Sequence, residues 1–166
     1  MHSLASKGIK TVQRKPSSCR IDGIRFQIEQ LKDGEVYPVT PGDVQKELLR
    51  MSPEDRKRLE AVEFVRPKGM QKEAYAQYVR SKRKVLVFSQ PMSDTGRVDG
   101  KDPRVLRKWM KGYVLPHEIG HHRALTVHGK TDRSLAVAEG RADAVAARMH
   151  PMDRDAVRFA RFHKDE

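Results

Sequence analysis

Cysteine is almost absent from this chain of 166 residues, in which Cys19 is the only one. A single cysteine excludes an intramolecular disulfide, so nothing in the sequence indicates an oxidising compartment. Long apolar runs are missing as well. No stretch approaches the roughly 18 apolar residues that a membrane span needs, and the N-terminus lacks the apolar core of a secretory signal. We therefore expect a cytoplasmic protein that makes no membrane contact.

Acidic residues are scarce relative to basic ones. The chain has 34 Lys and Arg against 22 Asp and Glu, a net charge of +12 and a pI near 10.0. Such a surplus favours acidic partners, of which nucleic acid is the commonest, although a solvated basic surface explains it equally well. The stretch 55–84 alone holds ten basic residues against four acidic ones. The oligomeric state is not indicated.

The charge pattern also suggests where the folded part begins. Residues 1–20 contain five Lys and Arg, no acid and few large apolar residues, which predicts a flexible basic tail. Apolar residues make up 37 % of the chain and recur in periodic stretches after it. We expect residues 21–166 to form a single domain.

Short strands and capped helices are expected to alternate along that domain. Strand patterns occur at 24–28, 61–65 and 84–89, and the segment 70–79 fits either a helix or a strand. Helix starts are predicted at Thr40-Pro41, ending near residue 51, at Ser52-Pro53, ending near residue 59, and at Asp102-Pro103. Further helices are expected over 133–149 and 153–162.

A proline interrupts the helix that starts at Asp102. Pro116 would clash with the carbonyl four residues back, which belongs to Gly112. We expect the helix to bend near Gly112 or to restart around Val114.

The residues just after this proline form the motif H-E-x-x-H, His117-Glu118-Ile119-Gly120-His121. Histidines four apart on a helix project from one face and can bind one zinc ion, and Glu118 can take a proton from a metal-bound water. Random placement of this chain's His and Glu residues gives the motif with a chance of roughly 2 %. Two surface histidines on a helix therefore remain the alternative.

A catalytic zinc needs a third protein ligand. The candidates are His128, Glu139, Asp143 and His150, and none completes H-E-x-x-H-x-x-G-x-x-H, because residues 124 and 127 are Ala and Val. Glu139 fits best, since it lies in the alanine-rich stretch 135–147, whose small side chains permit close helix packing. Asp143, four residues on, could accept the Nδ1–H of a ligand histidine. Alternatively, both acids pair with Arg141 or Arg148.

HEIGHH followed at this distance by EGRAD resembles the gluzincin-type peptidases, and E-x-x-A-D after H-E-x-x-H is especially similar to the ImmA/IrrE-type peptidases and the minigluzincins. The resemblance covers about residues 60–150. It implies an α+β, zincin-like domain in which a short antiparallel or mixed sheet packs against a motif helix and a ligand helix. It also implies Zn²⁺ held by His117, His121 and Glu139, Glu118 as general base, and Asp143 orienting His117.

The same resemblance implies an endopeptidase whose extended substrate pairs with an edge strand, here 84–89 or the segment around Tyr78. ImmA/IrrE-type peptidases cleave transcriptional repressors, which implies a regulatory or DNA-bound protein as substrate. An extra donor usually stabilises the transition state. The candidates, among which the sequence does not choose, are Tyr113, Tyr78, His122, His128 and His150. His122, about 100° around the helix from His121, is expected to be structural.

Two other hypotheses compete with this one. The chain could be a nucleic-acid-binding protein with a structural or vestigial metal site, for which the basic stretches provide the support. Alternatively, a peptidase could be kept latent if Cys19, in the tail, occupied the open position of the zinc ion.

Overall fold

The computed structural model of this protein describes residues 17–128, with side chains as far as Ala124. Seven strands and four α-helices lie in this range. The strands are β1 (Ser17–Ile21), β2 (Ile24–Ile28), β3 (Glu35–Val36), β4 (Ala61–Val65), β5 (Ala76–Val79), β6 (Lys84–Phe88) and β7 (Gln90–Pro91). The helices are α1 (Pro41–Leu48), α2 (Pro53–Lys57), α3 (Pro103–Trp109) and α4 (Leu115–His128), with short 3₁₀ turns at Gly69–Glu73 and Arg80–Lys82.

Five of the strands form one mixed sheet in the order β1-β2-β4-β6-β5. The three inner strands run parallel, whereas the two edge strands are antiparallel to their neighbours. The remaining strands, β3 and β7, pair as a small antiparallel ribbon. The predicted α+β class with a mixed sheet is therefore confirmed for the described residues. The predicted ligand helix over 133–149 and the final helix lie outside them.

The first strand begins before the predicted domain boundary. β1 pairs with β2 across a tight turn in which Asp22 and Gly23 both have positive φ, of 51° and 79°. Two positive φ values match the right-handed twist of the paired strands. The boundary set at residue 21 therefore divides a hairpin, and residues 17–20 are part of the sheet. Residues 1–16 lie outside the described range.

One face of the sheet meets the helices and forms the core. Alternate residues of the inner strands, such as Phe26, Phe64 and Val87, are buried against apolar residues of α1, α3 and α4. On the opposite face Glu63 of β4 forms ion pairs with Arg25 and with Lys84, at 3.5 and 3.0 Å. The sheet thus buries one face in the helices, and α4 packs beside its edge strand β5.

Side-chain caps fix the starts of the first helices. Thr40 and Asp43 form a reciprocal capping box at α1, and Ser52 caps α2. Both helices begin where predicted but end earlier, at Leu48 and Lys57. Among the described residues, no helix is both long and apolar enough to cross a membrane.

An ion pair ties α1 to α3. Arg107 donates two hydrogen bonds to Asp43, at 3.0 and 2.9 Å. Burial opposes the ionisation of Asp43, but Arg107 and the Thr40 amide outweigh it and lower the pKa of this carboxyl to about 2. Asp43 therefore stays charged and holds the two helices together.

The predicted interruption before the H-E-x-x-H motif takes the form of a π-helical turn. It spans Met110–Val114 and joins α3 directly to α4. The amide of Leu115 donates to the carbonyl of Met110, five residues back. This wider turn gives the ring of Pro116 the space that a regular α-helix would deny it.

Candidate metal and catalytic site

The two histidines of the motif lie one turn apart on α4, and their rings meet edge to face. Their ring centroids are 4.8 Å apart, and the ring planes are nearly perpendicular, at 89°. His117 is 7 % exposed, and His121 is partly exposed. The helix therefore brings two imidazoles to one face, as the i, i+4 spacing predicts.

Glu118 bridges the motif helix to the edge of the sheet. Its Oε2 accepts a hydrogen bond of 2.7 Å from the backbone amide of Tyr78, in β5. A carboxylate held by a backbone amide has few alternative rotamers, because the amide cannot move without the strand. Glu118 is thus held between α4 and the outer edge of β5, where no described strand pairs.

The hydrogen-bond pattern of β5 shows which groups face that space. The amide of Phe88 donates to the carbonyl of Tyr75, so Tyr75 belongs to a pair bonded to β6. Bonded and non-bonded pairs alternate in an antiparallel ladder. The amides and carbonyls of Ala76 and Tyr78 therefore point outward, away from β6.

Only one of the two segments proposed as the edge strand is at the edge. The strand predicted over 84–89 is β6, which lies between β4 and β5 and pairs on both sides. Its apolar, β-branched sequence, KVLVF, suits this interior position because parallel strands buried on both faces are apolar throughout. The segment around Tyr78 is the edge.

A row of stacked rings leads along the helix to the motif. Tyr113 stacks on His117 with centroids 5.8 Å apart, and Trp109 stacks on Tyr113 at 6.4 Å. Tyr75, immediately before β5, meets the edge of Trp109 at 5.1 Å. Together these contacts fix His117 from one side and join the π turn to the edge strand.

His122 is held by two hydrogen bonds in the interior. Its Nε2 lies 2.8 Å from the carbonyl of Asp55, and its Nδ1 lies 2.9 Å from the hydroxyl of Tyr78. A carbonyl only accepts, so Nε2 carries the proton and Nδ1 accepts the Tyr78 hydroxyl. Burial lowers the pKa of His122 and raises the pKa of Tyr78 to about 12.

This pairing excludes two of the five residues that the sequence offers as donors to a transition state. The hydroxyl of Tyr78 is committed to His122, and both ring nitrogens of His122 are used, so neither residue serves as a donor or ligand in this arrangement. Tyr113 remains among the described side chains, and the side chains of His128 and His150 lie outside them. The sequence contains no signal for this pairing, because Tyr78 and His122 are 44 positions apart.

The described side chains supply two of the three ligands that the sequence predicts. Between residues 17 and 124 no group of three or more His, Cys, Asp or Glu is arranged to hold one metal ion. Two imidazoles on one helical turn fit the nitrogen donors that zinc prefers. Glu139 and Asp143, predicted to bind the metal and to orient His117, lie outside the described residues.

Cys19 lies far from the motif. It is exposed on β1, at the opposite edge of the five-stranded sheet from β5. Four strand spacings of about 4.8 Å separate these two edges, roughly 19 Å in all. Pairing with Phe26 holds Cys19 in the sheet, so the hypothesis that it blocks the metal from a flexible tail is wrong.

Comparison with known proteins adds no relative. Neither the protein-family models nor the curated proteins nor the solved structures include a match to this chain. The resemblance to gluzincins therefore stays a prediction from the motif residues.

Proposed function

We propose that this protein is a zinc-dependent endopeptidase of the gluzincin type. One observation carries the proposal: His117 and His121 lie on one side of α4, and the amide of Tyr78 holds the adjacent Glu118 against the outer edge of β5. A carboxylate held beside two imidazoles of one helical turn is in the position that a general base for a metal-bound water requires.

In this proposal His117, His121 and Glu139 hold Zn²⁺, and Asp143 accepts the Nδ1–H of His117. The bound ion would lower the pKa of water toward about 7 and polarise the peptide carbonyl. Glu118 takes a proton from the water as its oxygen bonds to the carbonyl carbon. Glu118 then delivers this proton to the amine nitrogen as the C–N bond breaks.

The edge strand would position the substrate. An extended peptide that adds to β5 bonds to the outward groups of Ala76, two residues before Tyr78, and passes over the motif helix. Main-chain hydrogen bonds of this kind form with peptides of many sequences. They therefore orient the scissile bond but do not determine which residues flank it. The resemblance favours a regulatory or DNA-bound protein as the substrate.

Metal content tests the ligand set. We expect one zinc per wild-type chain by elemental analysis after dialysis. His121→Ala and Glu139→Ala should lower zinc affinity by at least about tenfold, because each removes a ligand. Glu54→Ala, at an exposed position in α2, is the matched control and should retain the metal. Full zinc affinity in Glu139→Ala would exclude Glu139 as the third ligand.

Glu118→Gln tests the chemistry. Glutamine keeps an oxygen that accepts the Tyr78 amide, so the fold should persist, but it cannot take a proton. We expect cleavage to fall by about 10²- to 10⁴-fold with zinc content unchanged. Glu73→Gln, exposed before β5, should cleave like the wild type. Equal cleavage by Glu118→Gln and the wild type would refute the peptidase function.

Exposed basic side chains favour nucleic-acid binding as a second candidate. Lys57, Arg58, Lys68, Lys72 and Lys82 are exposed in the stretch 55–84. Such a surface binds phosphates with an affinity that falls steeply with salt. Glu118→Gln distinguishes the candidates, since DNA affinity should not depend on Glu118. A peptidase with a DNA-bound substrate would show both properties.

A further inference from the structure

Basic residues surround the carboxyl end of the edge strand. Arg80 and Lys82 lie in the 3₁₀ turn that follows β5, Arg83 comes next, and Arg58 directly follows the last residue of α2. We call these four residues the basic rim. The turn follows β5 directly, and Arg80 comes two residues after Tyr78, whose amide holds Glu118. The rim therefore borders the space that Glu118 occupies.

Two hydrogen bonds show where the rim lies. The amide of Glu60, two residues after Arg58, donates to the carbonyl of Arg83 at 2.8 Å. The carbonyl of Asp55, in α2, accepts a hydrogen bond of 2.8 Å from Nε2 of His122 in α4. Residues from α2 and from the turn after β5 thus converge on the same part of α4. The rim is formed by separate segments of the chain that the fold brings together.

The rim keeps a surplus of positive charge. Arg83 pairs with Glu60 at 2.8 Å, and both side chains are about half exposed, so solvent weakens the pair. Lys82 and Arg58 are exposed and form no ion pair with a described residue. At least two cations of the rim are therefore available to an incoming acidic group.

The other end of β5 carries balanced charge. There Lys72 and Glu73 are neighbours, and Lys101 pairs with Asp99, whose carboxylate also accepts the hydroxyl of Tyr75. A chain lying along β5 therefore meets neutral surroundings at one end and a positive surface at the other.

We propose that the basic rim selects substrates with Asp or Glu on the N-terminal side of the bond to be cut. This inference rests on the proposed peptidase function. A peptide that adds antiparallel to β5, the commoner kind of pairing, has its N-terminal part beside Val79 and the turn after it. Acidic side chains there lie within reach of Lys82 and Arg58. The occupant of the rim is an acidic protein segment, because the rim continues an edge that binds extended backbone.

A peptide library derived from a proteome digest tests this selection. The full chain, loaded with zinc, is incubated with the library, and the cut sites are identified by mass spectrometry. We expect Asp and Glu to be enriched about threefold in the positions two to four residues before the cut, which is the scale of one exposed charge pair. The enrichment should shrink in high salt.

Charge-reversal variants of the basic rim test whether the rim causes this acidic preference. Lys82→Glu and Arg58→Glu should abolish the enrichment or invert it toward Lys and Arg. Lys72→Glu, at the balanced end of β5, is the control and should leave the preference before the cut unchanged. Cleavage with no acidic preference, or with a preference that both reversals leave intact, overturns the inference while the peptidase stands.

Two further outcomes distinguish failure of this inference from failure of the proposed peptidase function. If zinc-loaded wild type cuts no library peptide and no protein tested, the proposed function fails and this inference fails with it. If Lys82→Glu and Arg58→Glu weaken DNA binding but cut the same peptides as wild type, the rim is a nucleic-acid surface and the inference is wrong.

Discussion

His122 shows how two adjacent residues of one type take different roles. His121 lies on the face of α4 that carries His117, whereas the next residue points into the interior, where both of its nitrogens are bonded. A turn of about 100° per residue produces this difference. The expectation that His122 is structural agrees with its complete burial. Burial favours the neutral form of the ring and outweighs the opposite effect of Asp55.

This burial predicts a dependence of stability on pH. Burial lowers the pKa of His122 in the folded protein, while the unfolded chain keeps a value of about 6.5. As pH falls below that value the unfolded state binds a proton that the folded state refuses, so stability is lost. We expect wild type to lose up to about 1.4 kcal/mol per pH unit through this residue between pH 6.5 and its folded pKa.

His122→Gln provides the comparison, because glutamine fills similar space and does not titrate. The free energies of unfolding of the two proteins, measured in urea from pH 8 to pH 5, should converge as pH falls. Every other titratable group is present in both proteins, so its contribution cancels in the comparison. Parallel curves would show that His122 takes up its proton as easily when folded as when unfolded.

The π turn, Met110–Val114, joins α3 to the helix that carries the motif. The sequence predicts some disturbance here, since Pro116 and Gly112 are four apart, but a bend and a restart were equally compatible with it. In the structure a π-helical turn, Met110–Val114, lies at the predicted disturbance, and α4 begins at Leu115, next to the predicted restart at Val114. Trp109 and Tyr113 thereby remain stacked in line with His117, which a break would have separated.

Deletion of Gly112 tests this explanation. Removing the extra residue should force a regular α-helix in which Pro116 clashes one turn back, at a cost of about 3 kcal/mol in unfolding free energy. Adding Pro116→Ala to the deletion should recover most of this loss. Pro116→Ala alone is the control and should stay close to wild type. A deletion variant as stable as wild type would mean that the π turn does not serve the proline.

On the scale of the whole molecule, the strand order decides which residues meet. The two edges of the sheet have different surroundings, because α4 packs beside β5 and not beside β1. The hairpin that carries Cys19 is consequently on the far side of the molecule from the motif. The basic stretch 55–84 is likewise divided, so that only part of it borders Glu118.

Cys19→Ser should therefore leave the protein unchanged. We expect wild-type zinc content, cleavage and melting temperature, because Cys19 is exposed on β1, at the opposite edge of the sheet from β5. Alkylation of Cys19 in the wild-type protein serves as a second, chemical form of the same test. A variant that cleaved faster than wild type would restore the hypothesis of a latent enzyme.

Local chemistry explains what the sequence by itself determined. Three strands, the starts of three helices and the one-face arrangement of His117 and His121 were all predicted, because caps, alternation and helical spacing act within a few residues. The tertiary structure decided what depends on distant contacts. It placed β5 at the edge and β6 inside, joined Tyr78 to His122 and to Glu118, and drew residues 17–20 into the sheet. No local pattern encodes these contacts, since each is stabilised only when segments far apart in the chain pack together.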